Sequence, residues 1–257
     1  MLPYFRGMEA FSISIPKSWS ELSDQQLCFF FRQVARDLPL EEVTAICLCK
    51  WAHLSVLCFD GAHRVLVRQR TTKREVWLAD WQLAYASRQL SFLGGFAEMP
   101  VRISELRGAA AVAADLQGVS FEDYLAIENF YQGFLHTQNF DCLSEMAHLL
   151  YPLLSVRFTL SKAELLSVFY WFASVKLYFT KLFPNFFSAV PEGNGNLLGS
   201  PDTAIGETLR QAMNAQIRAL TAGDITKEAR VLEMDCWRAL TELDAKAKEA
   251  ESLRKMG

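Results

Sequence analysis

From Leu22 onward most apolar residues recur three and four positions apart, the spacing of a helix with one buried face. Ser23 reads as an N-cap with Gln26 as its reciprocal partner, and Leu22 with Leu27 as the hydrophobic staple. That helix runs to about Asp37 through Leu27, Phe30, Phe31 and Val34. Pro39, followed by Glu41 and Glu42, opens a second one to about Leu54, because proline fits a first turn and acids there complement the helix dipole. Two stretches break the pattern. Phe11–Ile15 (FSISI) alternates with a period of two, a short strand stopped by Pro16. Between Val56 and Leu78, β-branched runs surround Asp60-Gly61, the strongest hairpin signal in the chain, with a second turn near Thr71–Lys73. A small antiparallel sheet of two or three strands is expected, with FSISI a candidate for one more. Asp80 then reads as the cap of a helix to about Phe92, ended by Gly94-Gly95.

Gly94–Gly118 is the least regular part. Pro100 and Val101–Ile103 read as extended, and AAAVAADL as either a short helix or a mobile connection. The chain therefore divides into residues 1–95, helices plus a small hairpin subdomain, and 119–257, a helical domain, with 95–118 between them. One continuous domain is the alternative. Beyond it the pattern is helical throughout. Ser120 with Asp123, stapled by Val119 and Tyr124, opens a helix to about Thr137; another spans about Phe140–Tyr151 and stops before Pro152. Ser161 with Glu164, stapled by Leu160 and Leu165, starts a helix to Phe183 that is apolar over most of its circumference and so belongs at the centre of the core. Pro191–Ser200 reads as a mobile Gly/Asn loop, and Ser200 with Pro201 as the start of a helix to about Leu220. Gly223 breaks that helix, and Asp224 begins the last, reaching about Lys255. The expected fold is mainly α, a multi-helix bundle with a small antiparallel β-hairpin element in the N-terminal half.

In the last helix Cys236, Leu240, Leu243, Ala247 and Ala250 follow a 4-3-4-3 spacing, a narrow seam between charged flanks. It either projects as a partner-binding stripe or packs along its own domain.

Composition narrows the class. Apolar residues at 51% against 21% charged exclude general disorder, and a net charge of −3 gives no overall pull toward nucleic acid or anionic lipid. The start MLPYFRGMEAF lacks the apolar core of a signal peptide, and six cysteines in a chain of 257 residues do not form a small disulfide scaffold. They read as reduced, mostly buried thiols of a cytoplasmic protein. Leu165–Val175 is the one candidate span, and its eleven largely apolar residues fall short of the ~20 a spanning helix needs.

Candidate chemistry is sparse. Cys47-x-Cys49 with His53 is the nearest approach to a zinc site, but residues two apart on a helix point about 200° from each other. Glu145-x-x-His148, near His136 and Asp141, occurs once where a di-metal bundle needs the arrangement twice. Gly193-x-Gly195 follows a break instead of a strand, and neither a phosphate-binding glycine loop nor a nucleophile elbow is present. No catalytic, cofactor-binding or metal-ligating residue is assigned, and no cofactor is expected. Arg64, Arg68, Arg70, Lys73 and Arg74 form one cationic cluster, read as a solvated hairpin whose charges discourage edge pairing more readily than as a phosphate track.

Three segments, IPKSWSELSDQQL at Ile15–Leu27, VSFEDYLAIENFYQGFL at Val119–Leu135 and RALTAGDITKEARVLEMDCWRALTELDAKAKEAE at Arg218–Glu251, together resemble an uncharacterised family of bacterial prophage and phage proteins encoded among tail-morphogenesis genes. Helix starts and a Gly-Asp break carry the resemblance, so no active-site residue transfers with it. It implies a non-enzymatic morphogenesis factor of the bacterial cytoplasm that binds other proteins, by analogy a tail-assembly chaperone; a virion structural or adaptor protein is the alternative. A nucleic-acid-binding protein and a helical enzyme without recognisable motifs are the rivals from other classes. The implied partners are phage tail components or a second copy of the chain.

Overall fold

The computed structural model describes residues 13–61, 63–189 and 202–256. The protein is mainly α with a small three-stranded antiparallel sheet in its N-terminal half. It divides into two compact units, Met1–Gly95 and Phe96–Gly257. Among the described residues no helix is long and apolar enough to cross a membrane.

In unit 1, α1 (Asp24–Val34) starts at the expected capping box: the Ser23 hydroxyl accepts from the Gln26 amide at 3.3 Å, and Gln26 Oε1 accepts from the Ser23 N–H at 2.9 Å. It stops short of Asp37, which takes a left-handed φ of 57°. Pro39 is the N-cap of α2 (Leu40–Trp51), its carbonyl accepting the Val43 N–H. A second left-handed residue, His53, ends the chain's helical course three residues before the predicted limit, and β1 (Leu54–Phe59) begins at once. β1, β2 (Arg64–Gln69) and β3 (Glu75–Ala79) pair antiparallel in the order β1-β2-β3. Val65 pairs with Leu78 and Val67 with Val76 on the buried face; Leu66 pairs with Trp77 on the other. Residues 13–15 of the candidate strand FSISI form no strand, since Pro16 follows directly and Ile15 is buried as a coil residue; Phe11 and Ser12 lie outside the described residues.

α3 (Asp80–Arg88) is capped one residue earlier than expected, with Gln82 Oε1 accepting from the Ala79 N–H at 2.9 Å. Alanine has no oxygen to complete the box. The core is aromatic: Trp19 meets Phe30 edge-on at 5.3 Å and Phe92 at 5.8 Å, and its indole N–H donates to the Phe92 carbonyl at 2.9 Å.

Unit 2 begins with the stretch read from sequence as a helix or a mobile connection, and it is neither. β4 (Glu105–Leu106) and β5 (Ala109–Ala110) form a two-residue hairpin in which Arg107 and Gly108 both have positive φ, 51° and 85°, as a turn matched to strand twist requires. Residues 112–116 then run across the helical body, held by side chains from distant helices. α4 (Phe121–Thr137), α5 (Phe140–Leu150) and α6 (Lys162–Leu182) follow their predicted limits closely. α6 is the central helix: Val168, Phe172, Val175 and Phe179 are fully buried, and Trp171 nearly so.

After α6 come α7 (Pro184–Ala189), which sequence reading missed, and α8 (Asp202–Thr221). The loop Pro191–Ser200 and the helix start at Ser200-Pro201 lie outside the described residues. The single last helix expected from Asp224 is instead divided into α9 (Glu228–Leu232) and α10 (Cys236–Met256). Between them the backbone pairs with the start of α4: the Phe121 N–H donates to the Met234 carbonyl at 2.7 Å, and the Cys236 N–H to the Val119 carbonyl at 2.9 Å. First-turn amides of a helix have no internal acceptor, so the Met234 carbonyl satisfies one that α4 would otherwise leave open.

Candidate functional site

The sequence-derived stripe on α10 is largely internal. Cys236 and Leu240 are fully buried, Leu243 is 4% exposed, Ala247 is half-buried and Ala250 is exposed. The partner-binding reading is corrected for the first three, because they pack inside unit 2. Ala239, also fully buried, widens the seam into an ordinary core face. Asp244 on the same helix accepts from the Phe186 N–H at 2.9 Å and from Asn185 Nδ2 at 2.7 Å, fixing the start of α7.

Cys47 and Cys49 sit on α2, the first fully buried and the second half-buried. Burial pushes the Cys47 thiol up to about 12 and raises that of Cys49, which the Arg70 charge partly offsets. Cys236, a weak S–H donor to the Leu116 carbonyl at 3.4 Å, is likewise pushed to about 12, by burial first and then by the Asp235 charge. Thiols so disfavoured as thiolates are poor nucleophiles and poor metal ligands. Among the described residues no three His, Cys, Asp or Glu side chains converge as ligands, the Glu145–His148 neighbourhood included.

Two cations of the hairpin, Arg64 and Arg68, are paired with acids, and Arg70 is held by a neutral hydroxyl. Arg64 Nε lies 2.6 Å from Asp60 Oδ2, and its guanidinium sits over Trp77 at 5.6 Å from the ring centre. Arg68 Nε donates to Glu75 Oε1 at 2.8 Å, and Arg70 Nε to Ser55 Oγ at 2.7 Å. Each of the two ion pairs is worth little to stability at this exposure, but together they offset part of the charge that a phosphate track would use. This favours the solvated-hairpin reading.

A half-buried ion pair joins two helices of unit 2. Lys176 Nζ of α6 is 2.8 Å from Glu128 Oε2 of α4; Glu128 Oε1 accepts from Gln132 Nε2 at 2.9 Å, and Lys176 lies over Phe187 at 5.0 Å. Burial, followed by the Glu128 charge, pushes Tyr131 up to about 12. Matched charges so placed hold α4 against α6.

What sequence reasoning missed is apolar surface. In unit 1, Phe59 is 73% exposed, Trp81 71% and Tyr85 65%, with Val56, Leu57 and Trp77 also open. Trp81 and Tyr85 stand four apart on α3 and share a face. In unit 2 the loop between α5 and α6 exposes Leu153, Val156 and Phe158 while burying Leu154 and Leu160. The available signal was the uncharged run Leu54–Phe59 beside a hairpin and the aromatic pair at helical spacing. Contiguous exposed apolar side chains mark interaction surfaces more often than isolated ones do. Comparison with protein-family models, curated proteins and solved structures finds no match to the chain.

Proposed function

We propose that this chain is a non-enzymatic morphogenesis factor of a bacteriophage or prophage that works by binding other proteins, in the manner of a tail-assembly chaperone. The phage context rests on the resemblance of the three segments at Ile15–Leu27, Val119–Leu135 and Arg218–Glu251. The observation that carries the binding role is the exposed aromatic set Trp77, Trp81 and Tyr85. Tyr and Trp combine large apolar area with few rotatable bonds, which is why they dominate protein–protein hot spots. A helical, apolar client would lie along such a surface with anchors three and four residues apart.

The test is affinity purification of the tagged chain during phage production, with the co-purifying proteins identified. Tail components are expected in the assembling fraction and absent from finished particles, and Trp81→Ser with Tyr85→Ser should reduce their yield at least ~10-fold. Retention in finished particles would make the protein a virion component instead. Recovery of no phage protein at all overturns the reading.

A further inference from the structure

α3 is apolar on two opposite sides. Ala86, and Leu90 just past the helix end, are buried, while Trp81, Ala84 and Tyr85 stand exposed at positions i, i+3 and i+4, followed by Arg88 at i+7. A surface helix normally turns polar residues outward, and on this face only Arg88 is polar. Asp80 and Arg88 are the two charged residues of the helix, one at each end and each four positions from Ala84. Among the described residues no acid pairs with Arg88. Asp80 Oδ2 meets His63 Nδ1 at 2.9 Å, yet the Asp80 side chain is 59% exposed and open to a second cation.

We propose that α3 packs antiparallel on α3 of a second copy of this chain, about a two-fold axis at Ala84. The charge pattern names the occupant. Reversing the helix about Ala84 brings Asp80 of each copy level with Arg88 of the other, so an opposite-charge pair closes each end. Parallel pairing would set Asp80 on Asp80 and Arg88 on Arg88. The rings fit the same arrangement. At a rise of ~1.5 Å per residue, Trp81 lies ~4.5 Å from the axis, between Tyr85 of the other copy at ~1.5 Å and Arg88 of that copy at ~6 Å. Each indole therefore gains an aromatic ring on one side and a guanidinium on the other. Ala84, the smallest side chain of the face, sits at the crossing, where packed helices approach to about 8–10 Å. A two-fold contact closes after two copies. Two aromatic side chains from each copy make a small interface, so monomer and dimer should both be populated in the micromolar range. The face is the one proposed for a client, so dimer and client exclude each other, although the dimer does not rest on the client reading.

The experiment mixes two charge variants of the full chain and follows them by sedimentation velocity between ~1 and ~100 µM. The unmodified protein should form a concentration-dependent dimer. Asp80→Arg alone sets cation against cation and Arg88→Asp alone sets acid against acid, so each should dimerise at least ~10-fold more weakly. Mixed in equal amounts, the two variants should form a dimer with one chain of each kind, at close to the unmodified affinity. The mixture still contains the chain that has lost the His63 contact, so that contact cannot account for the recovery. Both positions are exposed, and circular dichroism of each variant should match the unmodified protein. Trp81→Ser with Tyr85→Ser should abolish the dimer without changing that spectrum. A monomer at ~100 µM, single variants that dimerise like the unmodified protein, or a mixture no tighter than its components overturns the proposal. The client reading fails separately, because a chain that dimerises but captures no phage protein refutes that reading alone.

Discussion

Leu240→Ala should destabilise unit 2 by about 3 kcal/mol, within the ~2–5 kcal/mol found for truncating a leucine in a packed core. Leu240 is fully buried and lies between Cys236 and Leu243, themselves 0% and 4% exposed, with Ala239 beside it. Small neighbours offer little to collapse into the gap, so the cavity contribution should persist. Leu→Asp at the same site adds the cost of a buried carboxylate and should leave unit 2 unfolded. Because the chain has two units, a single melting curve can mix two transitions. Native-state hydrogen exchange of the α10 amides near Leu240 reads unit 2 alone, and the opening free energy there should fall by the full amount. The companion change Ala250→Asp, at an exposed position, should move it by less than ~0.5 kcal/mol. If Leu240→Ala costs under ~1 kcal/mol, the stripe is not core and its assignment to the interior of unit 2 is wrong.

Asp235→Ala removes the acceptor for the Gly118 N–H at 2.6 Å and the Trp237 N–H at 2.8 Å, and should cost about 1–3 kcal/mol in urea unfolding, with faster exchange at both amides. Glu164 is raised by burial but lowered more by hydrogen bonds from Ser161 and by Arg107, so its carboxyl ionises below the ordinary range in the folded state. A depressed folded pKa gives stability that is present above the unfolded value and lost as pH falls through the folded one. The stability of the native protein relative to Glu164→Gln should therefore shrink on acidification below the usual carboxylate range. In thiol titration at pH 8 Cys58, which is exposed, should react quickly, and Cys47 and Cys236 only after denaturant is added.

Local devices were legible in the sequence. The boxes at Ser23 and Ser161, the cap at Ser120 and the Asp60-Gly61 turn depend on residues within a few positions of each other, and all formed. What failed was decided at a distance. Glu233–Asp235 reads as helix on propensity, yet the Phe121 amide at the start of α4 competes for the Met234 carbonyl. Residues 112–116 carry no local pattern because Trp171 and Trp237, far along the chain, hold the Ala114 and Asp115 carbonyls. The α10 stripe was seen with its correct spacing but its two sides, a partner or its own domain, stayed open, since periodicity shows that a face is apolar and not what covers it. The exposed β1 edge was hidden for the converse reason: an uncharged strand looks the same whether it lies at the centre of a sheet or at its margin.

The hold on residues 112–116 bears on how the chain reaches its folded state during synthesis. The Trp171 indole donates to the Ala114 carbonyl across 57 residues of sequence, and the Trp237 indole to the Asp115 carbonyl across 122. Leu116, buried with a left-handed φ of 63°, is strained for so bulky a residue; its N–H donates to the Ala113 carbonyl, and its own carbonyl accepts from the Val119 N–H and the Cys236 thiol. A ribosome delivers Ala114 and Asp115 long before Trp237. Val112 can be fastened once Leu150 has emerged and Ala114 once Trp171 has, but the Asp115 carbonyl waits until the start of α10 has left the exit tunnel. Unit 1, ending at Gly95, is free to fold well before that moment. A chain interrupted before Trp237 would carry a finished first unit and a second one with its last fastening missing, recognisable to a protease at residues 112–116.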